Sequence, residues 1–333
     1  MPYKKVVNFI FDLFFLNRPT LLVPVWTILF LGWTTAQERE FFDIAFDFAS
    51  PFVKMFFAFT AVVCHIYIIN QIVDRKSDKI NNKLFLLSNG HIPIGVAWAQ
   101  SLLLLVFSLC VAWFWLDIIC FLIIFAAAVL GFLYNCAPFK LKDRPWGGFI
   151  ANALGHGMLT YYAGWYVTLL SPTTSGVNLA HYHLFGIPMI GFLFALSAAF
   201  ANGAVYLTST ISDIKGDEKV GKRTFAVAYG AKNTSLLATI CVAISFLTAF
   251  FIPHSEWIMV IPAAICIPLF YRLYRTQNTQ NAFRTFRYPV VILSIAMAIF
   301  VPVYAILVLA TVILSRIYYK LRFNHEYPSF SKE

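Results

Sequence analysis

Charged side chains are scarce in this sequence: only 12% of its 333 residues are Asp, Glu, Lys or Arg. A soluble globular domain typically carries about 25% charged residues. Hydrophobic residues make up 60% of the chain, which is more than an ordinary soluble fold contains, so lipid must cover the surplus. The shortage of charge therefore excludes an ordinary soluble protein and favours an integral membrane protein.

Cysteine pairs with a metal-binding spacing are also missing. The six cysteines form no Cys-x-x-Cys motif and no Cys/His spacing typical of zinc sites. Because Ser/Gly-rich linkers and low-complexity tracts are lacking, we expect residues 1–333 to form a single domain. The net charge is +10, but the basic residues lie in short gaps between apolar runs, as in membrane proteins. We therefore expect no nucleic-acid partner.

Long apolar runs recur along the chain, and a helix of about 20 apolar residues suffices to cross a membrane. The candidate spans are residues 20–36, 53–72, 93–115, 118–135, 147–170, 184–209, 233–252, 257–274 and 288–315. The predicted fold is therefore all-α, a multi-span transmembrane bundle of about nine helices around a central cavity.

The distribution of Lys and Arg predicts the orientation, because cytoplasmic loops are enriched in basic residues. With the N-terminus in the cytoplasm, most of the basic residues fall on the cytoplasmic side. The basic residues of the C-terminal tail disagree, because an odd number of spans puts Arg316, Lys320 and Arg322 on the other side. An even number of spans would remove the disagreement. We expect a multi-pass protein of the cell inner membrane, in contact with membrane lipids.

Two clusters of acidic residues lie at the cytoplasmic ends of spans. In the first, Asn70, Asp74 and Asp78 are spaced four residues apart and share one face of a helix. In the second, Asp213 and Asp217 have the same spacing. Carboxylates at membrane depth are costly and usually mark a functional site. Because both clusters lie on the same side, they can bind Mg²⁺ together with the phosphates of a substrate.

Two further motifs accompany the acid clusters in the sequence. Arg18-Pro19 precedes the first span, and the basic loop Tyr134–Lys142 follows the fourth. Together with the clusters at 70–78 and 213–217, these motifs resemble those of the UbiA-type intramembrane prenyltransferases. Members of that family carry two Asp-rich motifs at the cytoplasmic ends of helices. The resemblance runs through most of the chain, since residues 224–230 are similar to the stretch after the family's second motif.

The resemblance implies an enzyme that transfers a prenyl group from a prenyl diphosphate to a lipophilic acceptor and releases diphosphate. It implies Mg²⁺ as cofactor and an active site that faces the cytoplasm. The catalytic carboxylates, which would bind Mg²⁺ and so neutralise the leaving group, are those of Asp74, Asp78, Asp213 and Asp217. Diphosphate binding would be shared by an amide and several cations, namely Asn70, Lys140, Lys142, Arg18 and Arg75. The faces of Tyr134 and Tyr67 can stabilise an allylic cation.

The acceptor is open at this stage. Gln71 stands where the family commonly has Asp, and this Asn-Gln form looks most like homogentisate-type members, which favours an aromatic, quinone-precursor-like acceptor. The loop Ala137–Lys142 also resembles chlorophyll-synthase-like relatives, and other members use glycerol-phosphate lipids. A cation-coupled transporter is the alternative from another class, although acid clusters at the ends of spans favour an enzyme. No general base is evident, and His65, His91 and His156 are the candidates.

Overall fold

Apolar runs in the sequence fold into long α-helices, in which each backbone polar group is satisfied within its own segment. The structure is a computed structural model that describes residues 2–37, 46–80, 85–171, 183–184, 187–188, 190–252 and 254–328. Its α-helices are α1 (Pro2–Leu16), α2 (Pro19–Thr35), α3 (Pro51–Ile80), α4 (Phe85–Ser88), α5 (Ile94–Trp115), α6 (Ile118–Asn135), α7 (Pro145–Asn152), α8 (Thr160–Thr168), α9 (Ile190–Lys219), α10 (Phe225–Ala249), α11 (Ile261–Thr276), α12 (Thr279–Phe300) and α13 (Pro302–Phe323). Shorter elements are a 3₁₀ turn (Leu141–Asp143), two π-helical turns (Ala153–Leu159 and Glu256–Val260) and the antiparallel pair β1 (His183–Leu184) and β2 (Ile187–Pro188).

Within the described ranges, nine helical segments are long and apolar enough to cross a membrane. The predicted all-α transmembrane bundle is thus confirmed. The end of the bundle at which α2 begins and α3 and α9 terminate is called the motif end below, because both acid clusters lie there. Several predicted spans begin or end at other residues than the observed helices: spans 53–72, 184–209 and 233–252 correspond to α3, α9 and α10. Two further predicted spans differ in their course.

The predicted last span, residues 288–315, is divided between α12 and α13. Pro302 stands in the first turn of α13, where its missing N–H is tolerated, whereas α12 cannot continue through a proline without losing a hydrogen bond. α13 then returns alongside α2. The hydroxyl of Tyr304 lies 2.6 Å from Thr27 Oγ1 in the middle of α2, and Thr20 near the start of α2 donates to the Tyr327 hydroxyl at 3.1 Å. The described chain therefore ends at the motif end.

The predicted span 147–170 is bent, and it consists of α7, a π-helical turn and α8. Trp146 in α7 packs on Phe225 at the start of α10, at the motif end, with ring centroids 5.1 Å apart. At the opposite end, the Tyr166 hydroxyl of α8 donates to Asp117 in the turn between α5 and α6, at 2.5 Å. This segment thus adds a tenth crossing to the nine regular spans of the described chain. With an even number of crossings, the basic residues at the end of α13 lie at the same end of the bundle as the basic loops. The C-terminal residues then agree with the charge distribution of the rest of the chain.

Close helix packing fixes this bent segment against α2. A Cβ atom at Gly164 would lie 1.9 Å from the Leu29 carbonyl oxygen, and one at Gly32 would lie 2.0 Å from that of Tyr161. Glycines at such an interface let two helix backbones approach each other in the membrane. The Tyr161 hydroxyl also forms a buried hydrogen bond of 2.6 Å with Thr35 Oγ1.

An ion pair that is buried at its Asp12 end connects α1 with α13 at the motif end. The Arg322 guanidinium donates to both carboxylate oxygens of Asp12, each at 3.1 Å. The Tyr318 hydroxyl donates to the same carboxylate at 2.6 Å, and its ring stacks on Phe15 with centroids 3.7 Å apart. Because the carboxylate is 2% exposed and fully hydrogen-bonded, the two helices are held in one relative position.

Candidate functional site

A cavity of about 200 Å³ opens between α3, α6 and the bent segment. Phe59, Val63 and Asn70 line it along α3, and Ala127 and Tyr134 line it along α6. Because Asn70 and Tyr134 are nearest the motif end, the lining changes from apolar in the middle of the bundle to polar at that end. The further polar lining residues are Arg18, Tyr67, Asn135, Asn152, His156 and Thr160.

The first acid cluster forms a buried network at the polar end of this cavity. Lys142 Nζ donates to Asp74 Oδ2 at 2.7 Å, with side chains that are 7% and 17% exposed. The amide of Asn70 donates to Asn135 Oδ1 at 2.7 Å and to the Asp74 carboxylate at 3.3 Å. Asn70 and Asp74, spaced one helical turn apart, therefore do share one face, as their spacing predicts.

Local backbone geometry explains why Lys142 reaches Asp74. Lys140 adopts a left-handed conformation (φ 38°) and starts the 3₁₀ turn that follows. The turn directs Lys142 inward, where it is buried, and leaves Lys140 exposed. Burial raises the pKa of the Cys136 thiol at the start of this loop, and the positive charges of Lys142 and Lys140 partly oppose that increase. Both lysines therefore lie near the end of α6, in different environments.

One carboxylate of each acid cluster lies within electrostatic range of Tyr134. The Tyr134 hydroxyl interacts electrostatically with Asp74 from α3 and with Asp217 from α9. Asp217 also accepts a hydrogen bond from Thr224 Oγ1 at 3.2 Å, whereas Asp213, one turn earlier, is exposed. The ends of α3, α6 and α9 therefore converge at one end of the bundle.

Not every predicted site residue lines the cavity. Asp78 is buried one turn beyond Asp74 on α3. The Arg75 side chain donates to the Leu87 carbonyl in α4 at 3.2 Å. Arg75 is therefore directed toward a neighbouring helix, and its predicted contact with diphosphate would require another side-chain conformation.

Arg18 and Tyr67 lie together at another wall of the cavity. Arg18, between α1 and α2, has a left-handed backbone (φ 55°) and interacts electrostatically with Tyr67. The Tyr67 hydroxyl donates to the Leu21 carbonyl at 3.2 Å, which fixes the ring beside the first turn of α2. The ring centroid of Tyr67 is 6.0 Å from that of His156.

The three candidate histidines occupy different places. His156 lines the cavity within a π-helical turn, a feature that often marks functional sites. His65 Nδ1 lies 2.8 Å from the Ser101 hydroxyl between α3 and α5, and His91 lies beside Arg322. Of these three, His156 is therefore the one placed to contact a substrate.

Asp143 is a candidate site residue that the sequence analysis did not name. Its Oδ1 atom is buried and has no hydrogen-bond partner within the described part of the chain. The carboxylate interacts electrostatically with Tyr134 and Tyr206, as Asp217 does. The signal in the sequence was its position directly after Lys142, in a chain with only 15 acidic residues.

Comparisons with known proteins agree with this arrangement. The model of the UbiA prenyltransferase family matches residues 21–295. Over 203 residues the chain is 33% identical to digeranylgeranylglyceryl phosphate synthase of Sulfolobus acidocaldarius, which covers 60% of this chain and 66% of that enzyme. Over 196 residues it is 27% identical to the chloroplastic 2-acylphloroglucinol 4-prenyltransferase of Humulus lupulus, which covers 54% of this chain and 42% of the relative. The matched region thus spans less than two thirds of the length of these relatives.

Solved structures share the fold. A digeranylgeranylglyceryl phosphate synthase superposes with a TM-score of 0.64 at 20% identity, over 90% of this chain and 99% of the other. A UbiA homolog from Archaeoglobus fulgidus, solved with GPP and Mg²⁺, gives a TM-score of 0.62 at 18% identity, over 89% and 99%. From its family match, its helical bundle and its converging acid clusters, the chain belongs to the UbiA prenyltransferase family, and it is an integral multi-pass membrane protein.

Proposed function

We propose that the protein transfers a prenyl group from a prenyl diphosphate to a lipophilic acceptor and releases diphosphate. The convergence of Asp74 and Asp217 on Tyr134, at the polar end of a cavity with an apolar interior, carries this proposal. A family relative from Archaeoglobus fulgidus that was solved with GPP and Mg²⁺ supports it. A prenyl diphosphate matches this cavity, because it has a charged diphosphate head and an apolar prenyl chain.

The residues at the polar end fit Mg²⁺. Their donor atoms are carboxylate and amide oxygens, which are hard ligands, and the buried Oδ1 of Asp143 has no hydrogen-bond donor among the described residues. Within those residues, no three acidic, His or Cys side chains are grouped closely enough to hold a metal by themselves. This suits Mg²⁺, which commonly uses one or two carboxylates, waters and substrate phosphates. The ligands would be Asp74, Asp78, Asp213 and Asp217, with Asp143 as an additional carboxylate.

Bound Mg²⁺ would neutralise negative charge on the diphosphate leaving group. The chain's own cations act on the same group. Arg18 can donate to its oxygens from the wall of the cavity. Lys142 can donate from its place beside Asp74 and Asn135, and exposed Lys140 can donate from the loop outside. Asn70 orients the Asp74 carboxylate through its side-chain amide. Together these groups stabilise the charge that develops as the bond between the prenyl carbon and oxygen breaks.

The apolar part of the cavity would bind the prenyl chain. Phe59, Val63 and Ala127 line it and exclude water, which would otherwise quench an allylic cation to an alcohol. Tyr134 and Tyr67 stand between the apolar and polar parts, where their ring faces can stabilise the cation. The bundle therefore separates the charged leaving group from the reacting carbon's hydrophobic chain.

For the acceptor, we favour a lipid-soluble aromatic compound. The relatives named for phloroglucinol prenylation and the Asn70-Gln71 form of the first motif support this choice. A glycerol-phosphate lipid is the second candidate, because the 33% identity to the Sulfolobus acidocaldarius synthase exceeds that to the hop enzyme. His156 is the histidine in the cavity that could accept the proton released by either acceptor.

We further propose that the motif end faces the cytoplasm of the cell inner membrane. The basic residues Arg18, Lys142 and Arg322 lie at that end, and basic residues are enriched on the cytoplasmic side. The substrate diphosphate would then enter from the aqueous compartment in which water-soluble metabolites are made.

The direct test uses the purified protein in lipid nanodiscs with Mg²⁺ and either farnesyl or geranylgeranyl diphosphate. Homogentisate, an acylphloroglucinol and a prenylglyceryl phosphate serve as acceptors. We expect pyrophosphate release and a prenylated product detectable by mass spectrometry with one acceptor class. Absence of donor binding and of turnover with every pair would reject the proposal, and cation-driven uptake into proteoliposomes would then favour a transporter.

A further inference from the structure

The turn between α1 and α2 determines where Arg18 lies. α1 ends at Leu16 and α2 begins at Pro19, so only two residues connect the helices. Arg18 has φ 55° and ψ 58°, a left-handed conformation that residues other than glycine rarely adopt. The proline that follows further restricts its backbone. Such a conformation persists where surrounding contacts impose it.

Two amide side chains, one buried and one half-buried, supply those contacts. Gln71 of α3 is 2% exposed, and its Nε2 donates to the Leu16 carbonyl at 2.9 Å and to the Tyr67 carbonyl at 3.1 Å. Gln100 of α5 donates from Nε2 to the side-chain oxygen of Asn17 at 3.0 Å and to the Leu13 carbonyl at 3.0 Å. The last turn of α1 is therefore held from α3 and from α5, directly before Arg18.

Gln71 follows Asn70 in the first acid motif, and the two side chains serve different partners. Asn70 faces the cavity and donates to Asp74. Gln71, one position later, points toward α1, because successive helix residues are turned by about 100°. An acidic side chain at position 71 would set a carboxylate against the Leu16 carbonyl, whereas an amide can donate to it. The side chain at position 71 therefore binds backbone carbonyl groups and does not point toward the metal-binding carboxylates.

We propose that Gln71 is a positioning residue for Arg18. It holds the left-handed corner between α1 and α2, so that the guanidinium lines the polar end of the cavity. A single turn of α3 thereby arranges both sides of the diphosphate site, with Asn70 orienting the carboxylates and Gln71 orienting the cation. This inference rests on the proposed function, in which Arg18 contacts the diphosphate.

The variant Gln71→Met tests the inference, because methionine keeps the length and burial of glutamine but cannot donate. Purified protein is titrated with geranyl thiolodiphosphate and Mg²⁺, since the sulfur analogue keeps the charge and resists bond cleavage. We expect the Kd to rise about tenfold, as for the loss of a buried hydrogen bond. With geranyl diphosphate and an acceptor, KM for the donor should rise more than kcat falls.

A double-mutant cycle separates positioning from a general structural effect. In an Arg18→Ala background, Gln71→Met should change the Kd less than twofold, because the residue it positions is gone. Multiplicative effects of the two substitutions would overturn the inference. Gln71→Asn, which keeps the amide but moves it by one methylene, should weaken binding similarly and serves if the methionine variant does not fold.

Ser101→Ala is the matched control. It removes a buried hydrogen bond between α3 and α5, to His65, that includes no residue of α1 or of the corner, and it should leave the Kd unchanged. If Arg18→Ala weakens donor binding but Gln71→Met does not, the inference alone fails. If Arg18→Ala does not change donor binding, both the inference and the assigned role of Arg18 are wrong. If the unaltered protein binds no donor, the proposed function itself is wrong.

Discussion

At the scale of single residues, the buried pair of Lys142 and Asp74 is the most consequential contact in the site. Asp74→Ala leaves the Lys142 ammonium, 7% exposed, without its carboxylate. Breaking a buried ion pair on one side typically costs about 3–5 kcal/mol, so we expect a lower Tm as well as loss of turnover. Thermal unfolding in detergent and pyrophosphate release measure the two effects.

The double variant Asp74→Asn with Lys142→Met is the control for this prediction. It removes both charges and keeps both side-chain volumes, so most of the lost Tm should return while turnover stays absent. Recovery of activity in the double variant would contradict the assignment of Asp74 to metal binding.

Asp143 gives a second prediction at this scale. Its buried oxygen lacks a hydrogen-bond donor among the described residues, and such an oxygen is costly when charged. Asp143→Asn should therefore keep or slightly raise the Tm. If the carboxylate binds Mg²⁺, the substitution should also raise the Mg²⁺ concentration needed for half-maximal pyrophosphate release roughly tenfold. An unchanged Mg²⁺ requirement would remove Asp143 from the site.

Spacing could predict Asn70, Asp74 and Asp217 as site residues, because helical periodicity places them on faces whose ends meet. It could not predict that Arg75 turns to the Leu87 carbonyl or that one carboxylate oxygen of Asp143 is buried. Both outcomes depend on tertiary contacts and loop geometry, such as the left-handed Lys140 and the 3₁₀ turn, for which no periodic signal exists.

At the scale of helices, the contact between α2 and α8 is the least tolerant of added volume. A methyl group at Gly164 would lie 1.9 Å from the Leu29 carbonyl, so Gly164→Ala must separate the two backbones. We expect a fall in Tm of several degrees, consistent with an overpacking cost of about 1–3 kcal/mol. Gly95→Ala in α5 is the matched control, because a methyl group added there would meet nothing within 4 Å, and it should leave the Tm unchanged or higher. Equal effects would argue against the close contact.

Hydropathy predicted the existence of the helices better than their ends. The run from α12 into α13 is apolar throughout, so it was interpreted as one span, and only Pro302 signals the reversal that the structure contains. The bent segment was predicted as a span, but its π-helical turn leaves no mark in hydropathy. Helix ends are determined by caps and tertiary contacts that periodicity does not encode.

At the scale of the whole molecule, the even number of crossings predicts where the chain termini lie. Exposed Glu326 follows α13 at the motif end, whereas exposed Asp47 follows α2 at the opposite end. Glu326→Cys and Asp47→Cys should therefore react with a membrane-impermeant maleimide from opposite sides of oriented vesicles. The unaltered protein controls for the native cysteines. Labelling of both variants from one side would contradict the reversal at Pro302.

The ion pair between Asp12 and Arg322 affects the order in which this bundle can be completed during synthesis. Asp12 lies in α1, which leaves the ribosome before the other helices described above, and Arg322 lies in the last of them. Until that last helix is made, the carboxylate of Asp12 lacks its guanidinium, and α1 lacks its contact with α13. The placement of α1 in the bundle is therefore completed only when α13 has been translated.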